Sequence, residues 1–295
     1  MRHEITKVRT LTLGRVLLAL TVIGSTTVLA LSSLIPTLTN WLIELQRANP
    51  GLHLTDADSG RFDGLLDLLN LADPAYQLSL VDIVNSGPLG GSGAPSFAIL
   101  CALLIGAFIA TSDFQHAGIV PSALIRPKRM QLVADKAKAT LTIMTVISVI
   151  LTVLSMIVLF ASIALTSGAS LRISFFEMLP VWGRGIITLN ALGLMGLGLG
   201  LLLRSQILTL IVIFALSMVE PIATAVLRMV NGEFPTYAAA LPITASTLTP
   251  RGTTIGAAME LGGSAIPLVA LTAVLAWAAI ALTAGTWRTT KRDLI

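Results

Sequence analysis

Between Arg15 and Glu44 the chain runs through residues 16–43 without a single charge. Comparable uncharged runs return at 139–171 and 261–287. A helix needs roughly 20 apolar residues to cross the hydrocarbon core of a bilayer, and a charge placed there is costly. Repeated runs of that length leave one class of architecture, an all-α membrane protein. The charge content agrees. Only 12% of residues are Asp, Glu, Lys or Arg, against about 25% in a soluble domain.

Six spans are expected, at about 15–37, 94–112, 139–165, 185–203, 206–228 and 265–287, making residues 1–295 one transmembrane domain. The fourth is rich in glycine and lies between Arg184 and Arg204. Only "RSQ" separates it from the fifth, so the two form a tight helical hairpin. Ahead of the first span, Ile5, Val8 and Leu11 recur at helical spacing among basic residues. Residues 1–14 therefore read as an amphipathic elbow helix lying at the interface. The apolar run that follows is too long for a cleavable signal, so this segment is expected to be retained.

Basic residues set the orientation. With the N-terminus inside, the inner segments hold 13 of the 19 Lys and Arg, including Arg126, Lys128, Arg129, Lys136 and Lys138. The outer segments carry more acids than bases. Both termini are expected in the cytoplasm, with the chain a multi-pass protein of a bacterial plasma membrane. The pI of about 9.6 is then a topology signal. No nucleic-acid partner is expected.

The outer loop 38–93 contains "GRFDGLLDLLNLADP", read as a short amphipathic helix stopped by Pro74. Its acids Asp56, Asp58, Asp63 and Asp67 loosely resemble a calcium loop. The closing glutamate is missing, and a solvated acidic face is the better reading. "NSGPLGGSGAP", 85–95, reads as a flexible turn back into the membrane. Residues 229–264 are moderately apolar and interrupted by proline, which suits an outer, partly re-entrant segment of short helices. No internal repeat is visible, and the halves differ in loop length. That weighs against an inverted-repeat carrier.

Within the spans three features stand out. Gly196 and Gly200 form a small-xxx-small pair, either a mobile seam or subunit contact, or tight packing within one chain. Asn190 is a polar lining group or an interhelical hydrogen-bonding partner. Glu220 is the one acid well inside a span, and Pro221 follows it. It serves a substrate path or gate, or it marks a helix break and bonds to nearby backbone.

Enzyme chemistry finds no foothold. There is no P-loop, HExxH or GxSxG, and the glycines of "GLGLG" sit inside a span instead of after a strand. Cys101 is the sole cysteine, and His3, His53 and His116 lie far apart. The chain is expected to hold no metal or cofactor and to be no enzyme.

Residues 113–138 remain. They combine Pro121 and Pro127, a run of basic residues and the apolar Ile119, Leu124 and Ile125. The stretch resembles the coupling region of type-2 ABC transporter permeases. In that family an acid, an aromatic, a histidine, an isoleucine, a leucine, a proline, an arginine and a lysine occur in order. Here Asp113, Phe114, His116, Ile119, Leu124, Pro127, Arg129 and Lys136 fall in those places. Asp113 replaces the usual glutamate, and Ala117-Gly118 stands where Gly-Thr is usual. "HEITKVRTLTLGR" is similar to the family's elbow helix, "GLGLLLRSQ" to its turn between the fourth and fifth spans, and "VEPIATAVL" with "ALPITA" to the region after its fifth span. Arg292 and Asp293 resemble its closing pair.

The resemblance implies a permease subunit of an ABC exporter without its own ATPase domain. A separate ATPase subunit carrying ATP and Mg would dock on the coupling region through Asp113, Phe114, His116, Ile119, Pro127, Arg129 and Lys136. A second permease subunit, identical or related, would complete the path. Two alternatives stay open: an ion-coupled carrier using Glu220, and a non-transporting scaffold or sensor using loop 38–93. Drugs, antimicrobial peptides and lipids all remain candidate cargo.

Overall fold

The computed structural model describes residues 12–48, 70–88, 95–115, 129–166, 169–231, 236–252 and 266–291. Among these the chain is helical throughout, with no strand. The long helices are α1 (Thr12–Ala48), α3 (Phe97–Gln115), α4 (Arg129–Leu165), α5 (Phe175–Leu203), α6 (Gln206–Asn231) and α8 (Ile266–Lys291). Two seven-residue helices, α2 (Pro74–Leu80) and α7 (Pro242–Leu248), lie between them, and a 3₁₀ turn at Thr236–Ala240 precedes α7. Five of the long helices are long and apolar enough to cross a membrane. The chain is thus a multi-pass helical membrane protein. α1 begins, and α3, α5 and α8 finish, at one end of the bundle, called here the termini end. The opposite end is the loop end.

α5 is the central helix, packed chiefly against α3 and α8. Its glycines allow this. A Cβ on Gly196 would overlap the carbonyl of Leu103 in α3, and one on Gly200 would come within 2.6 Å of the Ala110 Cβ. On the other side a Cβ on Gly198 would overlap the backbone of Ala281 in α8. In lipid, where water does not drive helices together, such backbone contact is a main source of association. Gly196 and Gly200 therefore face α3 of the same chain.

α1 meets α4 along a hydroxyl seam. Ser148, Ser155 and Ser162 recur every seventh residue in α4, as do Ser25 and Ser32 in α1, and all are buried. A seven-residue repeat keeps one stripe facing a partner helix. Several hydroxyls are satisfied by their own helix, as Ser148 Oγ donates to the Met144 carbonyl at 2.7 Å and Ser162 Oγ to Val158 at 2.7 Å.

Helix boundaries depart from the expected spans in a consistent way. α4 begins at Arg129 and α5 at Phe175, each ten residues ahead of the expected span. α5 starts there because Ser174 and Glu177 form a reciprocal capping box. Arg184, expected to bound a span, lies inside the helix. α1 runs on to Ala48, into the expected outer loop, and carries Pro36 within it. Thr12, Leu13 and Gly14, the last elbow residues, already belong to α1, and residues 1–11 lie outside those described. α5 and α6 are joined by Arg204 and Ser205 alone. Arg204 takes the left-handed conformation at φ 55° and its amide closes the helix on Gly200.

α3 is the short one. Its apolar part is Phe97–Ser112, about 24 Å at 1.5 Å per residue and less than a bilayer core of about 30 Å. The ring of Phe97 packs against Gly24, near the middle of the apolar part of α1. The first turn of α3 therefore lies deep in the bundle, and residues 70–88 occupy the space above it.

Candidate functional site

Two segments insert into the loop end, residues 70–88 and 236–252. The first opens with α2. Asp73 caps it, its carboxylate accepting from the Ala75 amide at 3.0 Å, and Pro74 takes the first helical position. Pro74 thus starts a helix, where a stop was expected. Of the amphipathic helix expected in "GRFDGLLDLLNLADP", residues 60–69 lie outside those described, and residues 70–73 form a turn ahead of α2. Gln77 is fully buried and pinned across the fold. Its amide donates to Leu71 and Ser170, and its carbonyl accepts from the Arg172 amide. Tyr76 donates to the Ser32 carbonyl of α1 at 2.7 Å. Burial pushes its phenol above the ordinary value, which keeps it a neutral donor.

The turn after α2 is built on Asp82, which is 0% exposed. One carboxylate oxygen accepts from the amides of Val84 and Asn85, at 3.0 and 3.1 Å. The other accepts from the Asn85 side chain at 2.7 Å and from Arg251 Nε at 3.2 Å. The chain then reverses through Ser86 at φ 55° and Gly87 at φ 90°. A side chain at Gly87 would press on Ser32, so this position needs glycine for both its φ and its space. Ser96 then donates to the Val84 carbonyl and accepts from the Ile99 amide, starting α3. The part of the expected flexible turn that is described, 85–88, is buried and hydrogen-bonded.

The second segment is the 3₁₀ turn, α7 and a turn ending at Gly252, φ 79°. Trp277 Nε1, eleven residues into α8, donates to the Ala240 carbonyl at 2.9 Å. That places the segment about 16 Å from the start of α8, half the depth of a bilayer core. Within the expected outer segment 229–264, the described short elements are the 3₁₀ turn at Thr236–Ala240 and α7.

α7 has no cap of its own. Leu241 precedes it and offers no side-chain acceptor. The Glu220 carboxylate of α6 takes that place, accepting from the amides of Ile243 at 3.0 Å and Thr244 at 2.5 Å. Glu220 is 7% exposed. Its helix continues through Pro221 to Asn231 without a break.

The two segments meet in one polar junction. Arg251 of the second pairs with Asp82 of the first. The Asn85 side chain also donates to the Thr247 carbonyl at 2.8 Å, and Arg184 of α5 donates to the Pro250 carbonyl at 2.7 Å. A charge inside α5 thereby gains one backbone acceptor, with the Asp82 carboxylate nearby. Sequence reasoning missed Asp82, Asn85, Arg184 and Arg251 as a group. The signal was present: Asp82 is the only charge between Asp73 and Asp113, and it precedes the turn pattern Asn85-Ser86-Gly87.

The other expected residues are distributed as follows. Asp113 and Phe114 lie in the last turn of α3, and Arg129 opens α4, with their side chains outside the description. His116, Ile119 and Pro127 fall outside the described residues. Lys136 is 1% exposed and its ammonium donates to the Ile109 carbonyl of α3 at 2.7 Å. It ties α4 to α3 and leaves no surface for a docking partner, so it drops out of that set. Asn190 accepts from Thr145 of α4 at 3.2 Å and donates to the Ile186 carbonyl at 2.8 Å, an interhelical bond. At the termini end, Arg204 and Arg288 reach into each other's helix ends. Arg204 donates to the Arg288 carbonyl at 3.0 Å, and Arg288 to Leu202 at 2.5 Å. Among the described residues no cluster of His, Cys, Asp and Glu is arranged to hold a metal.

No family model, curated protein or solved structure matches this chain.

Proposed function

We propose that this chain is the membrane-spanning permease subunit of an ATP-driven exporter of the type-2 ABC class. In this reading six helices cross the membrane, the short α3 among them, and the termini end faces the cytoplasm. The observation that carries the reading is where the basic residues fall. Gln115 and Arg129, which flank the basic, proline-marked stretch, lie at the same end of the bundle as the Arg204–Arg288 clasp and Lys291. Positive charge gathered at one end of a helical bundle favours the cytoplasmic side. A separate ATPase subunit docks there, on Asp113, Phe114, His116, Ile119, Pro127 and Arg129. A second permease subunit completes the path.

Lys136 belongs to the fold, as the anchor that passes movement of the 113–129 region into both α3 and α4. The ion-coupled alternative has little to build on, since both oxygens of Glu220 are committed to the amides of α7. The test is co-purification with an ATPase subunit from the same organism, followed by ATP hydrolysis in liposomes. The charge reversals Arg126→Glu and Arg129→Glu together should weaken association at least tenfold while the permease stays monodisperse. Unchanged association, or transport by this chain alone in vesicles without ATP, would refute the reading.

A further inference from the structure

Beneath the Asp82 turn, where it covers the seam between α1 and α4, lies a small, partly enclosed pocket of about 10 Å³. Ser25 and Thr26 of α1, Ser86 and Asp82 of the turn and Ser155 of α4 supply its polar lining, with leucine and isoleucine side chains between them. Three of these hydroxyls, on Ser25, Thr26 and Ser86, are buried with no hydrogen-bond partner in the protein. Ser25 and Ser86 are each 3% exposed. Buried hydroxyls left unpaired cost free energy, and a site of this size with two to four polar partners suits a water molecule. Electrostatics argues against a cation. Both oxygens of Asp82 already accept from N–H donors, and two guanidiniums, Arg251 and Arg184, stand around one carboxylate.

We propose that this pocket is a hydration site for buried hydroxyls, and that the Asp82–Arg251 pair is the latch that keeps it covered by holding the 81–88 turn as a plug over the α1–α4 seam. The geometry supports both halves. Among the described residues, the plug is hydrogen-bonded to the second inserted segment through Arg251 and through the Asn85 side chain on Thr247, polar contacts that can exchange for water. Below it the seam is lined by serines at seven-residue spacing, so a lifted plug opens onto hydroxyls. The chain therefore contains its own solvent valve at the loop end, whether or not an ATPase drives it.

The experiment is cysteine accessibility on the full-length chain in detergent, with no ATPase present, so its outcome is independent of the docking assay. Cys101 is buried and is the only native cysteine, and Cys101→Ala provides the background. In that background Ser25→Cys, at a position 3% exposed, is offered a cationic methanethiosulfonate too large to enter the pocket while the turn covers it. A second single-cysteine protein, Leu192→Cys in the fully buried face of α5, reports global unfolding. Ser25→Cys should react slowly with the native pair and with Arg251→Lys. It should react at least tenfold faster with Arg251→Gln and with Asn85→Ala, while Leu192→Cys stays silent. Fast reaction in the native background would show the pocket uncovered and overturn the proposal. So would an unchanged rate in Arg251→Gln and Asn85→Ala. If Leu192→Cys reacts in one of these variants, the other carries the test. If it reacts in both, the contacts hold the whole fold and the latch is refuted.

Discussion

The two inserted helices make an instructive pair. α2 and α7 have the same length, both start with proline, and both lead into a turn closed by a glycine with positive φ. They are capped by opposite means. α2 is capped by the residue beside it, Asp73, and its turn by Asp82, three residues from the Asn85 that it binds. α7 is capped by Glu220, a carboxylate on another helix more than twenty residues earlier in the chain. A local cap works as soon as the helix forms. A remote cap works only once two elements have packed. The first segment carries its own structure into the bundle, while the second depends on α6 being in place.

The largest effect expected from breaking this contrast is at the charge both segments share. Asp82→Ala leaves Arg251 buried without its carboxylate and strips several amides of their acceptor. It should cost about 3–5 kcal/mol, read as a lower thermal midpoint in detergent. Arg251→Met should cost less than Asp82→Ala, because Asp82 keeps its three other donors. A larger loss in Arg251→Met would mean that the turn owes its shape to the second segment.

Next comes the remote cap. Glu220→Ala leaves two buried amides unpaired and should cost about 2–4 kcal/mol, with protease cleavage in 236–252 rising first. Glu220→Gln keeps an acceptor and should recover about half of that loss. Equal losses would assign the role to charge instead of hydrogen bonding.

Smaller still are the paired glycines. Gly87→Ala and Gly252→Ala each force a side chain into a left-handed position and should cost about 1–2 kcal/mol. Gly87→Ala should be the worse if the first segment is the more tightly seated. At the small end, Asp73→Ala should cost about 1 kcal/mol and Asp73→Asn almost nothing. Hydrogen exchange should show that change confined to α2. Exchange spreading into α7 would erase the distinction between local and remote capping.

Much of this was legible in the chain. The uncharged runs gave the long helices, because the hydrocarbon requirement acts on consecutive residues. Asp73-Pro74 is also a local start signal, although it was read as a stop. Arg184 misled in the other direction. A charge looked like a boundary, but the helix starts ahead of it at the Ser174–Glu177 capping box, and the guanidinium finds the Pro250 carbonyl. Lys136 misled for the same reason, since its ammonium finds the Ile109 carbonyl on the neighbouring helix. Charge marks a membrane boundary only when no partner waits inside.

The sequence by itself determined the class: apolar helices long enough to span a bilayer, with a two-residue link between α5 and α6. Each follows from neighbours along the chain, over the few turns across which helical periodicity and capping operate. Only the tertiary structure decided that two short segments sink between those helices and lock onto each other through Asp82 and Arg251. Only it decided that Glu220 caps a helix other than its own. Both depend on polar groups, distant in sequence, finding partners where water cannot serve, and no local pattern encodes which distant partner will be there.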